Sequence, residues 1–382
     1  MEVGAPLLLL KLENKGVHIL SAERRAADPA ELHNLGQEIT VYDANAAAPT
    51  RVPGEVVWVA DDDGSPAFTT TEMIMVLPTE PPASSEVTPG GGGQQPQQLD
   101  HDTDSDSHGT GDAANLFGIS YAPYRANHDC KSAEDIMDDF QRFKGDYSLV
   151  RIYGTDCNQV PNVYPAAKDA GVKIMLGIWD IHSVQNEASK IVDGLHGDWD
   201  IVHSVSVGNE LVNNGDATPQ QVTDAVAQAR QILRQAGYTG PVVTVDTFIA
   251  VESHPELCEK SDYCAINAHP FFDSTMAAGD AGKWLQNTVQ KVKSALSKPM
   301  EVVVTETGWP TDGDANGLAV PGLANQKAAI KSIKNTFSHN PSDVVLFSAF
   351  DDLWKEKTMT TFNADQHWGI GGAIAKSDVA LV

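Results

Sequence analysis

The chain has 382 residues, 41% of them apolar and 20% charged, enough to bury one large core with an accessory segment beside it. Its 26 Lys and Arg face 52 Asp and Glu, and a formal charge of −26 argues against a protein that tracks nucleic-acid phosphates. No apolar run approaches the roughly 18 to 20 residues of a membrane span, since the longest, Leu7 to Leu10, is broken by Lys11.

The opening M-E-V-G-A-P-L-L-L-L-K-L-E carries an acidic residue where a secretory leader wants positive charge, so no leader is expected in it. Residues 1–76 read as a segment of low order. Within it, E-V-V-W-V-A (55–60) and F-T-T-T-E-M-I-M-V-L (68–77) flank D-D-D-G-S-P, the residue types of a strand, a turn and a strand, and predict a short hairpin. From 77 to 115, Pro78 to Pro89, four consecutive glycines from Gly90, Q-Q-P-Q-Q and an acidic tract predict a disordered linker. Five Asp and two His between Asp100 and Asp112 fit a solvated linker better than a metal site, and no cofactor is expected.

From Phe117 the pattern turns regular. Short β-branched runs at 116–121, 148–153, 172–179, 202–207, 241–245, 263–268, 301–305 and 344–350 alternate with amphipathic stretches such as Pro219 to Ala236, which a capping signal at Thr218 opens. Eight strands with helical crossovers make a parallel sheet, and roughly 250 residues is the length of a (β/α)8 TIM barrel. The barrel domain is set at 116–375, with 376–382 as a tail. An open doubly wound sheet is disfavoured, because no glycine-rich phosphate loop follows the first strand.

In such a barrel, chemistry sits at the C-terminal ends of the strands. The fourth strand ends V-G-N-E with Asn209 and Glu210, and the seventh runs V-T-E-T-G-W-P with Glu306 and Trp309. A carboxyl group that leaves water beside another carboxylate can stay protonated near neutrality, which suits an acid and nucleophile pair that cleaves a glycosidic bond with retention. Either Glu alone would read as a helix-start residue stabilised by the helix dipole; the two together favour catalysis. Asn209 can donate to a sugar hydroxyl, and Trp309 offers a flat face for a pyranose ring.

The segments G-I-S-Y-A-P-Y, V-R-I-Y-G-T-D-C, S-V-G-N-E-L-V, N-A-H-P-F-F, V-T-E-T-G-W-P and F-D-D-L-W-K resemble glycoside hydrolase family 17, in its fungal cell-wall β-1,3-glucanase and glucanosyltransferase branch. The resemblance implies a retaining enzyme on β-1,3-glucan with Glu210 as proton donor, Glu306 as nucleophile and Asn209 as a 2-hydroxyl contact. It also implies subsite roles for Tyr121, Arg151, Tyr153, Asn267, His269, Phe271, Phe350, Asp351 and Trp354. His269 stands where related plant enzymes place a tyrosine. Arg151 reads equally as a holder of the carboxylates or as a buried structural pair.

The four cysteines permit three pairings. Cys130 and Cys157 follow neighbouring strands, so their loops can be bridged, and Cys258 with Cys264 would close a small loop. Both bridges would mean an oxidising compartment, in keeping with the secretion and cell-wall location that the resemblance implies. The partner expected is glucan polysaccharide, without nucleic acid, and the chain is expected to be a monomer. The competing reading is a non-catalytic glucan-binding wall protein, which predicts the loss of a carboxylate that this sequence keeps.

Overall fold

The computed structural model describes residues 116–379 in full and, before them, five strands by their backbone. The chain divides into two units, Met1–Asp104 and Ser105–Val382. In the first, β1 (Leu7–Leu12), β2 (Val17–Ile19), β3 (Ile39–Asp43), β4 (Thr50–Val59) and β5 (Pro66–Pro78) form one sheet in the order β2-β1-β4-β5-β3. β4 and β5 pair antiparallel with Trp58 opposite Phe68, while β3 joins β5 in parallel. The sheet is wider than a hairpin, because β1, β2 and β3 add to the pair. Of the expected linker 77–115, Leu77 and Pro78 end β5, and 79–115, acidic tract included, lies outside the described residues.

The second unit is a closed barrel of eight parallel strands: β6 (Gly118–Ser120), β7 (Leu149–Arg151), β8 (Lys173–Ile178), β9 (Val202–Asn209), β10 (Val242–Thr247), β11 (Cys264–Asn267), β12 (Val302–Thr307) and β13 (Val344–Leu346). Each falls within or overlaps an expected run. The strands are apolar on both faces, since Leu149, Met175, Val245, Ala265, Val303 and Val345 fill the interior while Ile119, Val150, Ile174, Val205 and Val304 join the core beneath the helices.

The helices are α1 (Ala133–Arg142), α2 (Gln159–Ala170), α3 (Val184–Leu195), α4 (Pro219–Gln235), α5 (Phe248–Ser253), α6 (Glu256–Glu259), α7 (Ala281–Ala295) and α8 (Leu323–Thr336). α4 shows why the crossovers are helical. Thr218 and Gln221 close a capping box around a proline at the first turn, and Val222, Val226, Ala229 and Leu233 recur at helical spacing on the buried face. No helix among the described residues is long and apolar enough to cross a membrane. The expected tail is docked on the barrel at its start, because Asp378 is buried and accepts from the Ala126 amide at 3.0 Å.

Both disulfides form, Cys130–Cys157 and Cys258–Cys264. The first joins the loops that leave β6 and β7, at the mouth where all eight strands end. The second ties α6 to Cys264, the first residue of β11, at the opposite end.

Candidate active site

Arg151 closes β7 and is buried, and its guanidinium organises the mouth. Nη1 donates to Glu306 Oε1 at 2.8 Å, to the Thr305 carbonyl at 3.0 Å and to Asn267 Oδ1 at 3.2 Å, and Nη2 donates to Asn209 Oδ1 at 2.7 Å. The ends of β7, β9, β11 and β12 thus meet on one side chain. Tyr153 donates to the same Glu306 oxygen at 2.8 Å. Oε1 therefore takes two donors, and Oε2, with His269 Nε2 at 3.4 Å, is the oxygen left for chemistry. Burial alone would raise the Glu306 pKa, but the Arg151 charge and the hydrogen bonds from His269 and Tyr153 override it and bring it down to about 2.

Glu210 has the opposite surroundings. Burial and the nearby Glu306 charge raise its pKa, against one hydrogen bond from Asn267 Nδ2 to Oε1 at 2.8 Å. Oε2 is then the oxygen able to hold a proton. The backbone places this side chain by two left-handed residues, Gly208 (φ 75°) and Glu210 itself (φ 56°), and the Glu210 amide donates to the Val245 carbonyl at 3.0 Å. Left-handed backbone at a residue with a long side chain costs of order 1 to 3 kcal/mol and persists where neighbours hold it. Asp246 does so: buried at the end of β10, it accepts from the amides of Val212 and Asn213 at 2.9 and 3.2 Å. Neither glutamate starts a helix. Glu306 lies inside β12, and Glu210 leads into a turn, so the helix-dipole reading is set aside.

The hydrogen bonds also fix the amide orientations. Asn209 Oδ1 accepts from Arg151 and from Asn267 Nδ2 at 3.1 Å, which leaves its own NH2 to turn outward. Asn267 Oδ1 accepts from Arg151 and from Thr305 Oγ1 at 2.9 Å. One connected polar network therefore joins both carboxylates, and every member is oriented by another.

A cleft of about 630 Å3 opens over the network, lined by Asn209, Glu210, Glu306, Tyr153 and Trp354 among the expected residues. It is also lined by Tyr124, Asp156, Trp179, Phe347, Asp352 and Lys355, which sequence reasoning did not single out, although most of them stand inside the quoted motifs. Trp179 ends the third expected strand and is 54% exposed, and its loop is held by the Glu187 carboxylate, which accepts from the Trp179 and Asp180 amides at 2.9 and 3.0 Å. Asp352 pairs with Lys355 at 3.0 Å. Gly177 keeps this wall close, because a Cβ there would stand 2.1 Å from the Tyr153 carbonyl oxygen.

Five expected subsite residues lie elsewhere. Trp309 is 0% exposed, donates from its indole to the Val320 carbonyl at 2.9 Å and packs edge-on against Phe271, so it has no face to offer a sugar. Phe271 is buried in the same aromatic cluster. Tyr121 is buried under the mouth, where it donates to Asp139 at 2.8 Å and packs on Phe350, itself buried. Asp351 is buried and accepts from the Gly369 amide at 2.7 Å; burial raises its pKa to about 6. Trp309→Ala is accordingly expected to destabilise the fold by about 3 to 5 kcal/mol, with ligand affinity at the cleft of the surviving folded protein unchanged. Thermal melts paired with a binding titration check this.

The fold has known counterparts. The model of the BtgE/BtgC glycoside hydrolase domain matches residues 118–369. A probable family 17 glucosidase, SCW4 of Saccharomyces cerevisiae, is 44% identical over 260 residues, 68% of this chain and 66% of the relative. The chain belongs to glycoside hydrolase family 17. The family 17 chain is also 45% identical over 255 residues to the cell surface mannoprotein MP65 of Candida albicans, across 66% of each. The match thus spans about two thirds of these relatives' length. A crystal structure of a family 17 β-1,3-glucanosyltransferase from Rhizomucor miehei superposes with a TM-score of 0.58 over 70% of this chain and 98% of that one. At 23% identity this likeness speaks for the fold alone.

Proposed function

We propose that the protein is a retaining enzyme of β-1,3-glucan, which cleaves the chain and passes the glycosyl group to water or to a second glucan. The observation that carries this reading is the division of labour within one network: Glu306 is held ionised by Arg151 and Tyr153 on Oε1, with His269 at 3.4 Å from Oε2, while Glu210 is pushed toward its protonated form. Glu306 Oε2 attacks the anomeric carbon as Glu210 gives its proton to the leaving oxygen. The bond to the leaving sugar breaks, and a glycosyl ester forms on Glu306. Glu210, now a carboxylate, then takes a proton from the incoming hydroxyl, which displaces Glu306 and restores the starting state. The outward NH2 of Asn209 is the donor for the sugar 2-hydroxyl. A cell surface name among the relatives, and two disulfides, support the cell wall as the place of action.

The reading fixes the sign of the pH dependence. Activity needs Glu306 ionised and Glu210 protonated, so kcat/KM is expected to hold from above the Glu306 pKa of about 2 and to fall as pH rises through the raised pKa of Glu210. A rate that climbs from pH 6 to 8 would contradict these roles. The function itself is tested by incubating the full-length protein with a reduced β-1,3-gluco-oligosaccharide of defined length and following product sizes by mass spectrometry. Shorter products mean hydrolysis and longer ones transfer. Unchanged substrate that nevertheless binds would favour the non-catalytic glucan-binding reading.

A further inference from the structure

We propose that the Cys130–Cys157 disulfide is a positioning device for one wall of the substrate cleft, acting through Tyr124 and Asp156; this rests on the glucan reading above. The four residues form a closed ring of constraints. Tyr124 pairs with Cys130 in an isolated antiparallel bridge, within a loop pinned by the Lys131 amide on the Pro123 carbonyl at 3.0 Å. The disulfide carries the ring across to Cys157, on the loop after β7. Asp156 precedes Cys157, and both of its carboxylate oxygens lie 2.9 Å from the Tyr124 hydroxyl, which donates back across the gap and closes the ring.

Three further observations tie this ring to the cleft. Tyr124 and Asp156 both line it, and the Tyr124 ring stands edge-on to Trp354, another lining residue, at 4.9 Å between centroids. Gln159, itself buried, donates to the Tyr124 hydroxyl at 2.9 Å and so fixes the pair from below. Cys157 and Asn158 both have φ of 51°, a left-handed pair without glycine that needs outside constraint to persist. The ring makes no hydrogen bond to Glu210 or Glu306 among the described residues, and it shares only the β7 end, with Arg151 and Tyr153, with the carboxylate network, whose other members stand on β9, β11 and β12. The disulfide therefore governs how the wall meets a glucan chain rather than how the bond is broken.

The second disulfide supplies an internal control, because Cys258–Cys264 sits at the far end of the barrel. In the full-length protein, C130A/C157A is expected to raise KM for a long β-1,3-gluco-oligosaccharide about tenfold, with kcat and the basic limb of the pH profile unchanged. C258A/C264A is expected to lower Tm and leave KM as it was. Calorimetric titration with the same oligosaccharide reads the wall independently of turnover and should show the same tenfold loss in C130A/C157A alone. Tyr124→Phe combined with Asp156→Asn, with both disulfides intact, should reproduce the KM rise, and this variant carries the test if C130A/C157A fails to fold. Wild-type KM and affinity in the C130A/C157A protein or in the Tyr124, Asp156 variant overturn the proposal, as does an equal KM change in both disulfide variants. Wild-type protein that binds the oligosaccharide in a disulfide-dependent way without turning it over would leave the positioning role standing and remove the enzymatic reading instead.

Discussion

Glu306→Gln is expected to lower glucan turnover by about 10⁴-fold or more while leaving oligosaccharide affinity within a few-fold of the wild type. The amide keeps the carboxylate's shape, so its oxygen can still accept from Arg151 and Tyr153. The group that replaces Oε2 is an NH2, which has no electron pair to give an anomeric carbon, and the glycosyl ester cannot form. A second effect follows from burial, because Arg151 loses its ion-pair partner. Breaking such a pair from one side costs about 3 to 5 kcal/mol when nothing else accepts, but the Thr305 carbonyl, Asn209 and Asn267 remain, so a lower Tm rather than unfolding is expected. The pH dependence of stability has a definite sign. A folded pKa near 2, below the ordinary carboxylate value of about 4.3, contributes stability above that ordinary value that is lost as pH falls toward 2. Wild-type turnover in Glu306→Gln would remove it as the nucleophile.

Glu210→Gln carries the second large effect, and a different signature separates it from the first. Without a proton donor, cleavage of a glucan is expected to fall about 10³-fold, since general acid catalysis contributes of that order. A dinitrophenyl leaving group departs without protonation, so release of that group from an aryl β-1,3-gluco-oligosaccharide should be affected far less, and the glycosyl-enzyme should then accumulate because its breakdown lacks a base. Equal losses on both substrates would contradict the acid assignment. The raised pKa of Glu210 also links the two glutamates: burial is the larger cause, and the Glu306 charge adds to it. Glu306→Gln should therefore lower the Glu210 pKa, which a carboxyl-labelled NMR titration reads.

The legible part of this site is the part that strand periodicity controls. A run such as V-S-V-G-N-E announces both a buried strand and the polar residues at its end, and β9 and β12 deliver Glu210 and Glu306 to the mouth. Arg151 could be read as structural or as functional, and the distinction dissolves in the fold, because the same guanidinium that is buried also holds Glu306 and Asn209. Sequence does not say which way a side chain turns once a strand has ended. Trp309, the second residue after β12, turns beneath the loop that carries Val320, whereas Trp179, the first residue after β8, turns outward into the cleft. Tyr124 meets Asp156 on a loop that tertiary structure brings alongside, whereas Lys355 pairs with Asp352 three residues before it in the same segment; both lysine and tyrosine line the cleft.

The most direct measurement is the anomeric configuration of the first-formed product. Cleavage of a β-1,3-gluco-oligosaccharide by the full-length protein, followed by proton NMR before mutarotation, should release the new reducing end, or the new transfer linkage, in the β configuration, as two displacements through Glu306 require. An α-configured first product would contradict a covalent intermediate on Glu306, and the absence of any cleavage would contradict the enzyme.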